Sequence, residues 1–162
     1  MRTFALHYFL RPDHRDVADI WLAAGGHVIR NVAPSQSRHW LFEHIEDLHA
    51  SGAQTTCAFN RHTGGLAGFI TVNPADGELD QIVVANSDRG SGVASLLMRE
   101  AKRIARGPMT MRINENNSRA IRFCEREGFR KMALTQAGAG NIRIWNMCWR
   151  PVPAKTANPT TD

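Results

Sequence analysis

Apolar residues recur at two spacings along this chain, and the alternation between them divides it into helices and strands. Val17, Ile20, Trp21 and Ala24 share one face of a helical wheel. They predict a helix over residues 15–24, with Pro12 near its start, Asp13 or its neighbour as cap, and Gly25-Gly26 as its end or as part of a mobile substrate loop. A second helix is predicted over 36–50, with Trp40, Leu41, His44, Ile45 and Leu48 inward, Ser35 at the N-cap and Ser51-Gly52 as the stop. Val93, Leu96, Leu97, Ala101 and Ile104 trace the apolar side of a third, and Arg99, Glu100, Lys102 and Arg103 fall mostly opposite. The fourth carries Ala120, Ile121, Phe123 and Cys124 from a start near Ser118 to a left-handed stop at Gly128.

Short apolar runs separate these helices and read as strands over 4–10, 55–60, 66–72, 79–84, 108–113, 129–135 and 142–149. The glycine-bearing link at 61–65 makes a hairpin of the second and third. Asn73-Pro74-Ala75-Asp76-Gly77 is a turn, and a flexible loop is expected at 136–140. The order is strand, two helices, three strands, helix, strand, helix, two strands, which is a mixed α/β (α+β) fold in one domain over 1–150. From Pro151 onward little can be buried, so residues 151–162 are expected to be a disordered tail.

Composition narrows this picture without redirecting it. A chain of 162 residues with 43% hydrophobic and 22% charged residues fits one soluble domain with one substantial core. No apolar run approaches the roughly 20 residues that span a bilayer, and the N-terminus lacks the apolar centre of a signal peptide. Cys57, Cys124 and Cys148 form neither a CxxC pair nor a metal-spaced cluster, which argues for no metal and for reduced thiols in a cytoplasm. The net charge of +5 suits polyanions, nucleic acid and nucleotide-bearing cofactors alike. The arginines are spread along the chain, which favours surface solvation over nucleic-acid binding.

Candidate chemistry concentrates after the strand at 79–84. There Arg89-Gly90-Ser91-Gly92-Val93-Ala94 opens the third helix. The first turn of a helix carries free N–H groups and the positive end of its dipole. Gly90 and Gly92 remove side chains that would keep an anion from those groups, so the loop suits a phosphate or pyrophosphate.

A second stretch reads Asn117-Ser118-Arg119-Ala120-Ile121-Arg122-Phe123-Cys124-Glu125-Arg126-Glu127-Gly128-Phe129, with Asn114 three residues ahead of it. In this order and at this separation, the two stretches resemble the paired signatures of the GNAT superfamily of N-acyltransferases. The resemblance covers residues 66–129 well and the remainder only by its order of elements. It implies a mostly antiparallel central sheet flanked by about four helices. It also implies an N-acetyltransferase that uses acetyl-coenzyme A (acetyl-CoA) as co-substrate and a small-molecule or protein amine as acceptor, with a homodimer open to it.

By that resemblance, backbone N–H groups of Gly90, Ser91, Gly92, Val93 and Ala94 cradle the pyrophosphate, and Arg89 adds charge or is simply solvated. Ile82, Val83 and Val84 lie along the pantetheine arm, while Ile82 and Val84 also serve as core. Asn117 bonds the cofactor or caps its helix. Asp80, with Glu78 beside it, is the candidate base, directly or through water, against the alternative of a solvated carboxylate. Glu78, Asp80 and Ile82 share a face unless a bulge intervenes. Cys124 stands where the family usually has tyrosine. It is read as a proton donor to the departing thiolate or as a small buried hydrophobe, and an acyl-cysteine has no neighbouring histidine in sequence to activate it. His39 or His44 could line an acceptor pocket. Two other readings stay open: a coenzyme A (CoA) binding module without turnover, and a toxin-like enzyme acting on aminoacyl-tRNA.

Overall fold

The apolar run Leu66–Val72 is buried at every position, as a strand covered on both faces must be. It is β3 of a seven-stranded sheet in a computed structural model that describes residues 3–25, 36–137 and 141–153. The others are β1 (Phe4–Tyr8), β2 (Gln54–Asn60), β4 (Glu78–Val84), β5 (Met109–Asn114), β6 (Arg130–Ala137) and β7 (Ile142–Trp149). The sheet order is β1-β2-β3-β4-β5-β7-β6, with every neighbouring pair antiparallel except β4–β5. Four α-helices accompany it among the described residues: α1 (His14–Ala23), α2 (Ser37–Ala50), α3 (Val93–Ala105) and α4 (Ser118–Arg126). The order of elements is the one expected from the hydrophobic pattern.

Two apolar layers hold the helices to the sheet. Val93, Leu97, Met98 and Ala101 of α3, with Ile121 and Cys124 of α4, pack on Ile70, Leu79, Met109, Met111, Ile113 and Met147. On the other face, Val17, Ala18 and Trp21 of α1 and Leu41 and Ile45 of α2 pack on Cys57 and Phe69. Each fully buried Leu or Ile in these layers contributes about 1.5–3 kcal/mol over leaving it exposed.

Local details depart from expectation at the helix starts. Asp13 stands at the N-cap of α1 as expected, but its carboxylate accepts the Leu10 N–H at 2.7 Å and no N–H of the helix. α2 opens at Ser37 with Gln36 at its N-cap, and the expected Ser35 cap, like Gly26, lies outside the described residues. β6 runs on to Ala137, past the expected strand end; residues 138–140 and 154–162 lie outside the description. Gly128 ends α4 with φ +95°, as its sequence position suggests.

Two irregularities in β4 matter for function. Thr71 pairs with Gln81 and Val72 with Leu79, so Asp80 is an extra residue in the ladder. The parallel pairing with β5 consists of Glu78–Thr110 and Leu79–Met111, and beyond it the two strands part. The base of this fork is tight. The Thr110 N–H donates to Gly77 O at 3.1 Å, and a Cβ on Gly77 would lie 2.0 Å from the Pro108 carbonyl oxygen.

Candidate active site

Where β4 and β5 separate, a cleft of about 530 Å³ opens between them. It is lined by Met111 and Ile113, which belong to the α3/α4 layer, and by Trp21 of the α1/α2 layer, so it passes through the sheet at the fork. The β5-facing backbone edge of residues 80–84 has no strand partner there.

One end of the cleft is the glycine loop. Gly90 and Gly92 hold φ of +77° and +87°, which lets the chain turn sharply into α3. The N–H groups of Gly90, Gly92, Ala94 and Ser95 have no hydrogen-bond partner among the described residues. The loop is pinned from behind by Asp88, a buried carboxylate that accepts from Asn60 Nδ2 and Ser87 Oγ, each at 2.8 Å. Donors are thus presented outward while the adjoining carboxylate is already satisfied, an arrangement suited to an anion.

Of the residues named from the sequence, Ile82, Val83, Val84, Arg89, Gly90, Gly92, Val93, Ala94 and Asn117 line this cleft together with Asp80. Ser91 instead faces a neighbouring hollow beside β1. Asn117 Oδ1 accepts the Ala120 N–H at 3.2 Å, so it caps α4 while bordering the cleft. Glu78 is exposed at the closed base of the fork and is not part of the lining. Cys124 is fully buried, with Sγ 3.8 Å from Met111 Sδ, and also lies outside the lining. Burial, then the Glu127 and Glu125 carboxylates, push its thiol up to about 12.

The structure adds a partner to Asp80. His44 Nε2 lies 2.9 Å from Asp80 Oδ2, with both side chains mostly buried. The imidazole stacks on Trp40 at 4.6 Å, and Trp40 stacks on Trp21 at 5.7 Å. The sequence signal was a histidine within the inward stripe of α2, but the pattern could not say which strand it would meet.

Three arginines were missed. Arg112, Arg119 and Arg126 line the cleft with Arg89, and none of the four makes an ion pair among the described residues. Arg119 and Arg126 are seven residues apart, two turns of α4, which places them on one face. No group of three potential metal ligands occurs among the described residues, and no described helix is long and apolar enough to cross a membrane.

The sheet thus forks between β4 and β5, with a glycine loop of unpartnered N–H groups at one end of the cleft and a buried carboxylate–imidazole pair at the fork. Comparison with known proteins identifies the class: residues 8–129 match the acetyltransferase (GNAT) family, and the chain belongs to that family. The fold is shared with a GNAT-family protein from Desulfovibrio desulfuricans at 21% identity and TM-score 0.71, covering 91% of this chain and 98% of that one. It is shared with the spermidine N-acetyltransferase of Vibrio cholerae, solved with CoA and spermine, at 16% identity and TM-score 0.72, covering 91% and 95%. Nourseothricin acetyltransferase matches at 17% identity and TM-score 0.66, covering 92% and 99%. No curated protein matches the chain.

Proposed function

We propose that the protein transfers an acetyl group from acetyl-CoA to a primary amine by direct attack of the acceptor on the thioester. The observation that carries this reading is the fork itself. Where β4 leaves β5, a strip of backbone without a strand partner among the described residues leads from the glycine loop to Asp80. The family uses acetyl-CoA, and the V. cholerae relative was solved with CoA.

The co-substrate brings an activated thioester; the chain binds it, orients the acceptor and takes a proton. The free N–H groups of the Gly90–Ser95 turn hold the pyrophosphate, with countercharge from Arg89, Arg119 and Arg126. The unpaired edge of Ile82, Val83 and Val84 pairs with the pantetheine arm, and an N–H beside the bulge polarises the thioester carbonyl. Asp80 accepts the proton that the acceptor ammonium must lose, directly or through water, and His44 orients the carboxylate from behind. Cys124 acts as core and solvent protonates the departing thiolate, consistent with a buried thiol whose pKa lies near 12.

Release of free thiol from acetyl-CoA over a panel of amines tests the reading. Asp80→Asn is expected to lower kcat about 10²-fold while leaving the KM for acetyl-CoA unchanged, the usual size of a lost general base. A wild-type rate in Asp80→Asn removes Asp80 from the mechanism. One observation favours a second reading, a CoA binding module without turnover: no tyrosine occupies the position of Cys124. CoA binding without thiol release on any amine would select it.

A further inference from the structure

Four arginines in one cleft exceed what the pyrophosphate loop calls for, and one of them lies apart from the other three. Arg112 sits on β5 between Met111 and Ile113, both of which pack into the α3/α4 layer. Strand alternation therefore turns Arg112 to the opposite face, the one that carries α1, Trp21 and the His44–Asp80 pair. Register places it further. Leu79–Met111 is the last pair before the fork, so Asp80 and Arg112 are the first residue on each prong. The two stand on adjacent strands whose backbones are about 4.8 Å apart where they pair and wider beyond. Arg112 is exposed, lines the cleft and has no ion-pair partner among the described residues. Among the described helices, α1 packs chiefly over β3 and β4, and Arg112 beside them on β5 lines the cleft.

We infer that the acceptor carries a carboxylate beside its amine, as a free α-amino acid does, and that Arg112 binds that carboxylate while Asp80 faces the amine. The inference rests on the acetyltransferase reading above and assigns its substrate class. An α-amino acid places its ammonium and carboxylate on one carbon, and the fork sets an acidic and a basic residue at the same level on its two prongs. Opposite charges on the prongs sort the ends of a zwitterion and set which end meets the thioester. The guanidinium presents paired donors in the geometry a carboxylate accepts. A polycation such as the spermine held by the V. cholerae relative would place like charge against Arg112, so this site discriminates against it.

The test compares the rate of thiol release with the standard α-amino acids, their amides and spermidine. The amide amines are less basic and more readily deprotonated, so intrinsic reactivity runs against the expected preference for the acids. Wild-type kcat/KM is expected to be at least about tenfold higher for the best acid than for its amide, the yield of one charge-assisted bidentate contact. Arg112→Gln should erase that difference by raising the KM for the acid, with the KM for acetyl-CoA and the melting temperature unchanged. Amides or spermidine turned over as well as the acids would overturn the inference while leaving the acetyltransferase reading intact. A preference that survives Arg112→Gln, or a variant weakened for acetyl-CoA instead, would also overturn it. If no amine yields thiol, the acetyltransferase reading fails and this inference fails with it.

Discussion

Asp80 reaches the cleft because β4 holds one more residue than β3 at that point. A regular ladder would have put it on the same face as Ile82, which packs against the α3/α4 layer; the bulge leaves it meeting His44 from α2 instead. His44→Phe keeps a ring on Trp40 and removes the hydrogen bond. Turnover is expected to fall by about tenfold, less than for Asp80→Asn, because the carboxylate loses its orientation but not its charge. A pH–rate profile of this variant identical to wild type, at unchanged rate, would assign the pair to structure alone. Cys124 presents the opposite case, a residue in the family motif that the fold has withdrawn from the cleft. Cys124→Ala should leave kcat unchanged and lower stability by about 1 kcal/mol through the small cavity it makes. A large loss of kcat without loss of acetyl-CoA affinity would restore the thiol as proton donor.

Two glycines, one at the base of the fork and one in the loop that opens α3, show how the elements around β4 are built. Gly77 has φ +75°, and a Cβ there would run into the Pro108 backbone. Gly77→Ala should therefore destabilise the protein by about 2 kcal/mol or more, read as a lower urea midpoint. Gly92 has φ +87° but nothing within 4 Å of its Cβ position. Gly92→Val should fold, at a strain cost of about 1–2 kcal/mol, and lose at least tenfold in CoA affinity because the side chain shields the loop N–H groups. Unchanged affinity in a calorimetric titration would refute the phosphate-loop assignment. The elements themselves were legible because periods of 3.6 and 2 are local properties of the chain. The glycine loop was legible for the same reason, since its chemistry sits in consecutive residues. The fork was not: Arg112 between Met111 and Ile113 reads as a solvated strand position until β4 and β5 are seen to part beside it. The His44–Asp80 contact spans 36 residues, and no local pattern carries a pairing that the packing of α2 on the sheet creates. Asp13 was legible as the N-cap position of α1, but not the partner its carboxylate takes, because an Asp there can equally serve the turn at Leu10.

At the scale of the molecule, the two layers differ in titratable character. All seven histidines fall in the first 62 residues, so the α3/α4 layer contributes none from its helices or the glycine loop. His14 packs edge-on to Phe42 with its Nε2 buried and unpartnered among the described residues, and His49 Nε2 lies 2.9 Å from Thr55 Oγ1. Burial is the largest influence on both and holds them below the ordinary imidazole value of 6.5, against the opposing pull of Glu46. A histidine whose folded pKa is lowered binds fewer protons folded than unfolded once the pH drops below 6.5. Its stabilising contribution is complete above that value and is lost as pH falls toward and through the folded pKa. The urea midpoint should therefore decline between about pH 7 and 5, before most carboxylates titrate. His14→Phe, which keeps a ring against Phe42 and removes the titrating group, should flatten that decline. Because these histidines sit on the layer that holds His44 and Trp21, mild acid should weaken acceptor turnover before it weakens CoA binding. A midpoint that stays constant across this range, in both proteins, would show that the two imidazoles charge freely in the folded state.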